Sequence, residues 1–82
     1  MKLLKLEQPD CRGCVEVGNI LNNSEVEYEA IDVVENPEVA DRYGVMGLPL
    51  TLLVDDKGKT LQRAVGVDRP AIVEMIEKIK GA

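Results

Sequence analysis

The sequence predicts a small α/β fold with the element order βαβαββα. Three features carry that prediction: a strand–helix–strand opening that holds the pair Cys11 and Cys14, two strand-like runs joined by Asp56-Lys57-Gly58-Lys59, and a closing amphipathic helix. An 82-residue chain with 45% hydrophobic residues can bury one modest core, so residues 1–82 read as a single domain.

Lys2 to Leu6 alternates too weakly to show a solvent face and runs into the loop Gln8-Pro9-Asp10, which marks a short, largely buried first strand. From Cys11 to about Asn23, the residues Cys14, Val17, Gly18 and Leu21 recur at spacings of three and four and build one helix face. Asn22-Asn23-Ser24 ends that helix. Val26, Tyr28 and Ala30 alternate with Glu27, Glu29 and Ile31, the pattern of a half-exposed strand parallel to the first. Asn36 is expected to cap a short helix whose first turn accepts Pro37, with Gly44 as its stop after Tyr43. Leu50 to Asp55 is a nearly continuous apolar strand, and Thr60 to Val65 returns as the second arm of a hairpin. Asp68 and Pro70 open the last helix, whose inner face carries Ile72, Ile76 and Ile79 with Val73 and Met75 alongside.

The bulk properties exclude several functions. A net charge of −5 repels phosphate, and Tyr28 and Tyr43 are the sole aromatics, so neither nucleic acid nor an anionic membrane is an expected partner. No apolar run is long enough to cross a bilayer, and Met1 to Lys5 leaves no room for a signal-peptide core; a cytoplasmic protein is expected. Histidine is absent, which removes Ser-His and Cys-His catalysis and histidine-ligated zinc. The reactive groups that remain are two thiols, carboxylates and amines.

Cys11-Arg12-Gly13-Cys14 places its thiols one helical turn apart, close to the Cα separation that a disulfide needs. With Cys11 at the helix N-terminus, unpaired N–H groups and the helix dipole favour its thiolate, the species that attacks disulfides. Cys14, inside the first turn and facing the core, would resolve the mixed disulfide. Arg12 favours and Asp10 disfavours the Cys11 thiolate. Lys5 would add positive potential if its strand ran beneath the site, but the expectation is that its ammonium escapes to solvent.

Two blander readings stand beside the redox one. A purely structural disulfide across so short a ring contributes roughly 2 kcal/mol, against about 3 for a 15-residue loop. Metal ligation needs four ligands, so the missing half of a zinc or iron-sulfur site would have to come from carboxylates or a second chain, giving a cluster-carrying thiol dimer. Elsewhere, Asp55-Asp56-Lys57-Gly58 lacks the spaced acidic ligands and terminal Glu of a calcium loop and is a turn.

Beyond the Cys pair, Asp32, Asn36-Pro37, Ala40, Tyr43-Gly44-Val45, Gly47, Pro49, the following apolar strand, Gly58 and Val65-Gly66 together resemble the thioredoxin-like family over essentially the whole chain from Lys2. The size is closer to glutaredoxin, because the strand and helix that open thioredoxins have no counterpart. The resemblance implies a four-stranded mixed sheet flanked by helices, with Cys11 as nucleophile and Cys14 as resolving thiol. It also implies a cis-proline at Pro49 facing the disulfide, a substrate peptide pairing with the Leu48 backbone, and a flat docking surface around Gly47 and Gly66, with Met46 at its edge as either a partner contact or a gap-filler.

The expected activity is reduction of protein disulfides with no cofactor beyond the Cys11–Cys14 disulfide. A thioredoxin-reductase-like flavoprotein would supply the electrons to a monomer, and a protein such as ribonucleotide reductase would receive them. A glutathione-dependent glutaredoxin is the alternative, although the Thr-Val-Pro and Gly-Gly signatures are missing. Four departures accompany the resemblance. Arg12-Gly13 replaces the Gly-Pro of thioredoxin and the Pro-Tyr of glutaredoxin, and Pro9-Asp10 replaces the aromatic residue before the first Cys. Lys5 occupies the place, six residues before Cys11, of a buried Asp that helps deprotonate the resolving thiol, and Leu50 separates Pro49 from Thr51.

Overall fold

A computed structural model describes residues 1–81 and has the elements β1 (Lys2–Glu7), α1 (Arg12–Asn23), β2 (Tyr28–Asp32), α2 (Pro37–Tyr43), β3 (Leu50–Val54), β4 (Thr60–Val65) and α3 (Arg69–Gly81). Ala82, the last residue of the expected domain, lies outside the described residues. The strands form one mixed sheet in the order β2-β1-β3-β4, with β1 parallel to β2 and antiparallel to β3, and β3 antiparallel to β4. A parallel pair requires a crossover, which α1 supplies; the tight turn at Gly58, whose N–H donates to Asp55 O at 3.0 Å, suffices for the antiparallel pair.

Side-chain alternation along β1 and β3 divides the core into two layers. Leu3 and Leu53 face α1 and α3, where they meet Val17, Leu21, Ile72 and Met75. Leu4, Leu6, Leu50, Leu52 and Val54 face the opposite way, toward Ile31, Val39 and Tyr43 beside α2. All five residues of β3 are buried, as a central strand covered on both faces demands. Each fully buried Leu contributes about 1.5–3 kcal/mol relative to exposure.

Three local expectations are corrected. β2 begins at Tyr28, so Val26 lies before it, and the strand feeds both layers: Tyr28 packs toward α1, Ile31 toward α2, and Ala30 is exposed. Asn36 stands at the N-cap position of α2 but makes no capping bond, because its amide donates instead to the Asp32 carbonyl at 2.9 Å. On α3, Met75 is fully buried while Val73 is 41% exposed, since the stripe Ile72-Met75-Ile76-Ile79 already fills the sector that meets the sheet. Asp68 does cap that helix, accepting from the Ala71 N–H at 3.3 Å.

The short helix α2 is secured at its end. Gly44 takes the left-handed C-cap conformation at φ 61°, which glycine adopts without a Cβ penalty. The Arg63 guanidinium on β4 donates to the Tyr43 and Gly44 carbonyls at 3.2 and 3.3 Å. This ties the C-terminus of α2 to the far edge of the sheet.

Candidate functional site

β1 delivers the chain to the site and α1 carries it away. Between them Asp10 turns the backbone through a left-handed conformation, φ 56°, a region that Asp visits more readily than bulkier residues. Cys11 is the N-cap of α1, extended at φ −115° and ψ 103°, and its Sγ accepts from the Cys14 N–H at 3.1 Å. One of the unpaired N–H groups of the first turn is thus aimed at sulfur. Cys11 and Cys14 are joined in a disulfide with a Cα–Cα distance of 5.2 Å. The two sulfurs are unequally placed: Cys11 is half-buried, whereas Cys14 is 3% exposed on the inner face of α1 with Val17, Gly18 and Leu21.

The loop before β3 closes the site from one side. The Leu48–Pro49 peptide bond is cis, and Pro49 is fully buried. A Cβ on Gly13 would lie 3.1 Å from Pro49 Cδ and 3.4 Å from Val67 Cγ2. Residue 13 is therefore small because the proline loop, the segment after β4 and the Cys helix converge there. Gly66, at φ 71°, donates its N–H to the Pro49 carbonyl at 2.8 Å and fixes the loop. Gly66→Ala is expected to destabilise the fold by about 1–2 kcal/mol through the left-handed conformation alone, since a Cβ there meets no atom within 4 Å. A urea titration measures this, and an unchanged midpoint would refute it.

The remaining docking candidates separate. Met46 is 94% exposed, so the gap-filling alternative does not apply. Gly47 lies against β4, where an added Cβ would be 3.3 Å from Val65 Cγ1, and Leu48 turns inward onto the α2 layer. Val67, 40% exposed and beside Gly13 and Pro49, joins the apolar surroundings of the disulfide. Sequence reasoning missed it; its position directly after Gly66 was the available signal.

On the opposite side of the disulfide lies an open cleft of about 970 Å³, lined by Lys5, Glu7, Asp10, Cys11, Arg12 and Cys14 among others. Here the expectation for Lys5 is overturned. It is 6% exposed, and its ammonium is ion-paired with Glu7 instead of reaching bulk water. Across the sheet Lys5 is flanked by Ala30 and Thr51, with Ala64 beyond Thr51, and Gly18 lies over it. That surround of small residues leaves room for a long side chain to lie flat under α1. Glu7, two residues along the same strand face, was missed as a site residue, as was Thr51, whose buried hydroxyl has no hydrogen-bond partner.

No group of three or more His, Cys, Asp or Glu side chains that could hold a metal ion occurs among the described residues. Nor is any helix among them long and apolar enough to cross a membrane.

A disulfide closed over the first turn of a helix, at the end of a central strand and against a buried proline loop, defines a thiol-disulfide oxidoreductase. No protein-family model matches the chain. It is 41% identical over 80 residues to the SPbeta prophage-derived thioredoxin-like protein YosR of Bacillus subtilis (strain 168), covering 98% of this chain and 100% of that protein. It is 35% identical over 77 residues to thioredoxin of the same organism, covering 85% of this chain and 73% of the relative. Among solved structures, Trichomonas vaginalis thioredoxin superimposes with a TM-score of 0.75 at 34% identity over 94% of this chain and 77% of that one. Fasciola hepatica thioredoxin does so with a TM-score of 0.78 at 25% identity, covering 93% and 77%. The chain belongs to the thioredoxin-like family.

Proposed function

We propose that the protein reduces disulfides in other proteins, with Cys11 as the nucleophile and Cys14 as the resolving thiol. The observation that carries this reading is the asymmetry of the pair: Cys11 caps α1 with an N–H directed at its sulfur, and Cys14 is buried one turn further in. In the reduced protein the helix N-terminus favours the Cys11 thiolate. That thiolate attacks one sulfur of a substrate disulfide, forms a mixed disulfide and releases the other substrate sulfur as a thiolate that takes up a proton. Cys14 then loses its proton to solvent, attacks Cys11 Sγ and expels the second substrate thiolate. The substrate gains two electrons, and the protein is left with the Cys11–Cys14 bond.

Substrate docks on the side of the proline loop, where Leu48 offers its backbone and Met46, Gly47, Pro49 and Gly66 form the rim. The protein works as a cytoplasmic monomer with no cofactor beyond its own disulfide. Its electrons come from a thioredoxin-reductase-like flavoprotein using NADPH and pass to proteins such as ribonucleotide reductase. A protein substrate suits this surface better than glutathione does, because the net charge of −5 and Asp10 beside Cys11 oppose an anionic tripeptide.

The test is insulin reduction by one preparation supplied either with NADPH and a thioredoxin reductase or with glutathione and its reductase. Turnover in the first system and little in the second is the expected result. Efficient turnover with glutathione alone would replace this reading by a glutaredoxin activity.

A further inference from the structure

A lysine under a redox disulfide is an unusual use of buried space, because an ammonium brought out of water must be compensated. Here β1 brings it there. Lys5 lies in the sheet layer covered by α1, its Nζ bonded to Glu7 and located where a Cβ on Gly18 would be 3.2 Å away. Gly18 follows Cys14 by four residues, and both belong to the buried face of α1. Residues so spaced stand one above the other, with Cβ positions about 5–6 Å apart. The ammonium therefore lies against the residue one helical turn beyond Cys14 on the same buried face, and Lys5, Cys11 and Cys14 line the same cleft. Thr51, next to Lys5 in the sheet, adds a buried hydroxyl without a partner. The layer under α1 is polar at this one level, with Leu3 and Leu53 below.

We infer that Lys5 is a positioning residue for the resolving step: its positive charge favours the thiolate of Cys14. The inference rests on the reading of Cys14 as the resolving thiol. When Cys14 attacks Cys11 Sγ it must do so as a thiolate, and nearby positive charge raises the fraction in that form. The other charged and titratable groups facing this region are Glu7 on the same strand, Asp10 in the connecting loop, Arg12 and Glu16 on α1, and Tyr28 on β2, whose hydroxyl also approaches Gly18. Glu16 is engaged by Arg69 of α3 at 3.5 Å, and the Tyr28 hydroxyl donates to Asn22. Glu7 is the partner that holds Lys5, and its negative charge opposes the effect of the lysine on the thiol. Its side chain is 30% exposed against 8% for Lys5, so solvent screens the carboxylate more than the ammonium.

The opposed charges give a test that a merely structural role would not pass. In a Cys11→Ser background, the rate of Cys14 alkylation by iodoacetamide is followed against pH for the parent, Lys5→Met and Glu7→Gln. Lys5→Met is expected to lower the thiolate fraction near neutral pH about tenfold and to move the titration midpoint up. Glu7→Gln is expected to move it down. In the protein with both cysteines, Lys5→Met should make the disulfide about tenfold harder to reduce, a midpoint potential about 30 mV more negative. A Lys5→Met midpoint that stays in place or falls, or two variants that shift the same way, would overturn the inference. If Lys5→Met fails to give a cooperative melt, Lys5→Gln replaces it under the same criteria. Because the titration needs no substrate, a parent protein inactive on insulin with the Lys5 shift intact would reject the proposed function alone. An active parent whose Cys14 ignores Lys5 would reject this inference alone.

Discussion

Replacing Cys11 by serine is expected to lower insulin reduction by at least about 10³-fold, to the background set by the reductant. A hydroxyl at that position is a far weaker nucleophile, and the Cys14 thiol, 3% exposed on the inner face of α1, cannot reach a disulfide carried by a folded partner. Cys14→Ser should also abolish turnover but leave a different trace. The first attack proceeds, resolution does not, and the mixed disulfide at Cys11 accumulates as a species that dithiothreitol releases. Timed alkylation of the reduced parent should label Cys11 well before Cys14. Equal rates at the two sites, or a trapped adduct on Cys14 in place of Cys11, would reverse the assigned roles.

The features legible in the sequence were those governed by periodicity and turn chemistry. The buried face Cys14-Val17-Gly18-Leu21 of α1, the hairpin around Gly58 and the stop at Gly44 follow from spacing and from backbone needs that few residue types meet. Lys5 was not legible. Its burial depends on Ala30 and Thr51 beside it in the sheet and on Gly18 above, a coincidence of strand register and helix placement that no local window contains. The missing capping bond at Asn36 has a local origin instead: its side-chain amide donates to the Asp32 carbonyl four residues earlier, an alternative that the capping pattern alone does not weigh. At Val73 the hydrophobic pattern was permissive and the geometry selective: α3 meets the sheet along one stripe, and Met75 occupies it. The left-handed conformation at Asp10 sits in the short connection between β1 and α1, and local composition alone does not specify it.

Leu53→Ala is expected to produce the largest loss of stability among single changes at the sheet. Leu53 is 1% exposed on the central strand β3, with Leu3 and Gln62 as register partners, and it belongs to the layer packed under α1 and α3. Removing its isobutyl group leaves a cavity between the sheet and two helices, where neighbours can relax only partly, at a cost of about 2–5 kcal/mol. A domain of this length is stabilised by only about 4–12 kcal/mol, so the loss is a large fraction of the total. Each kcal/mol lowers the melting temperature of a domain this size by about 4–8 °C, which places the expected drop at roughly 8–40 °C. Leu61 provides the comparison: it is 49% exposed beside the irregularity between Leu53 and Val54 in the β3–β4 ladder, so truncating it should change stability by about 0.5 kcal/mol or less. Paired urea titrations of Leu53→Ala and Leu61→Ala, each with the disulfide intact, decide the matter. Similar midpoints for the two would mean that the layer joining α1 and α3 to the sheet, which holds Cys14 and Lys5 in place, does not carry the fold.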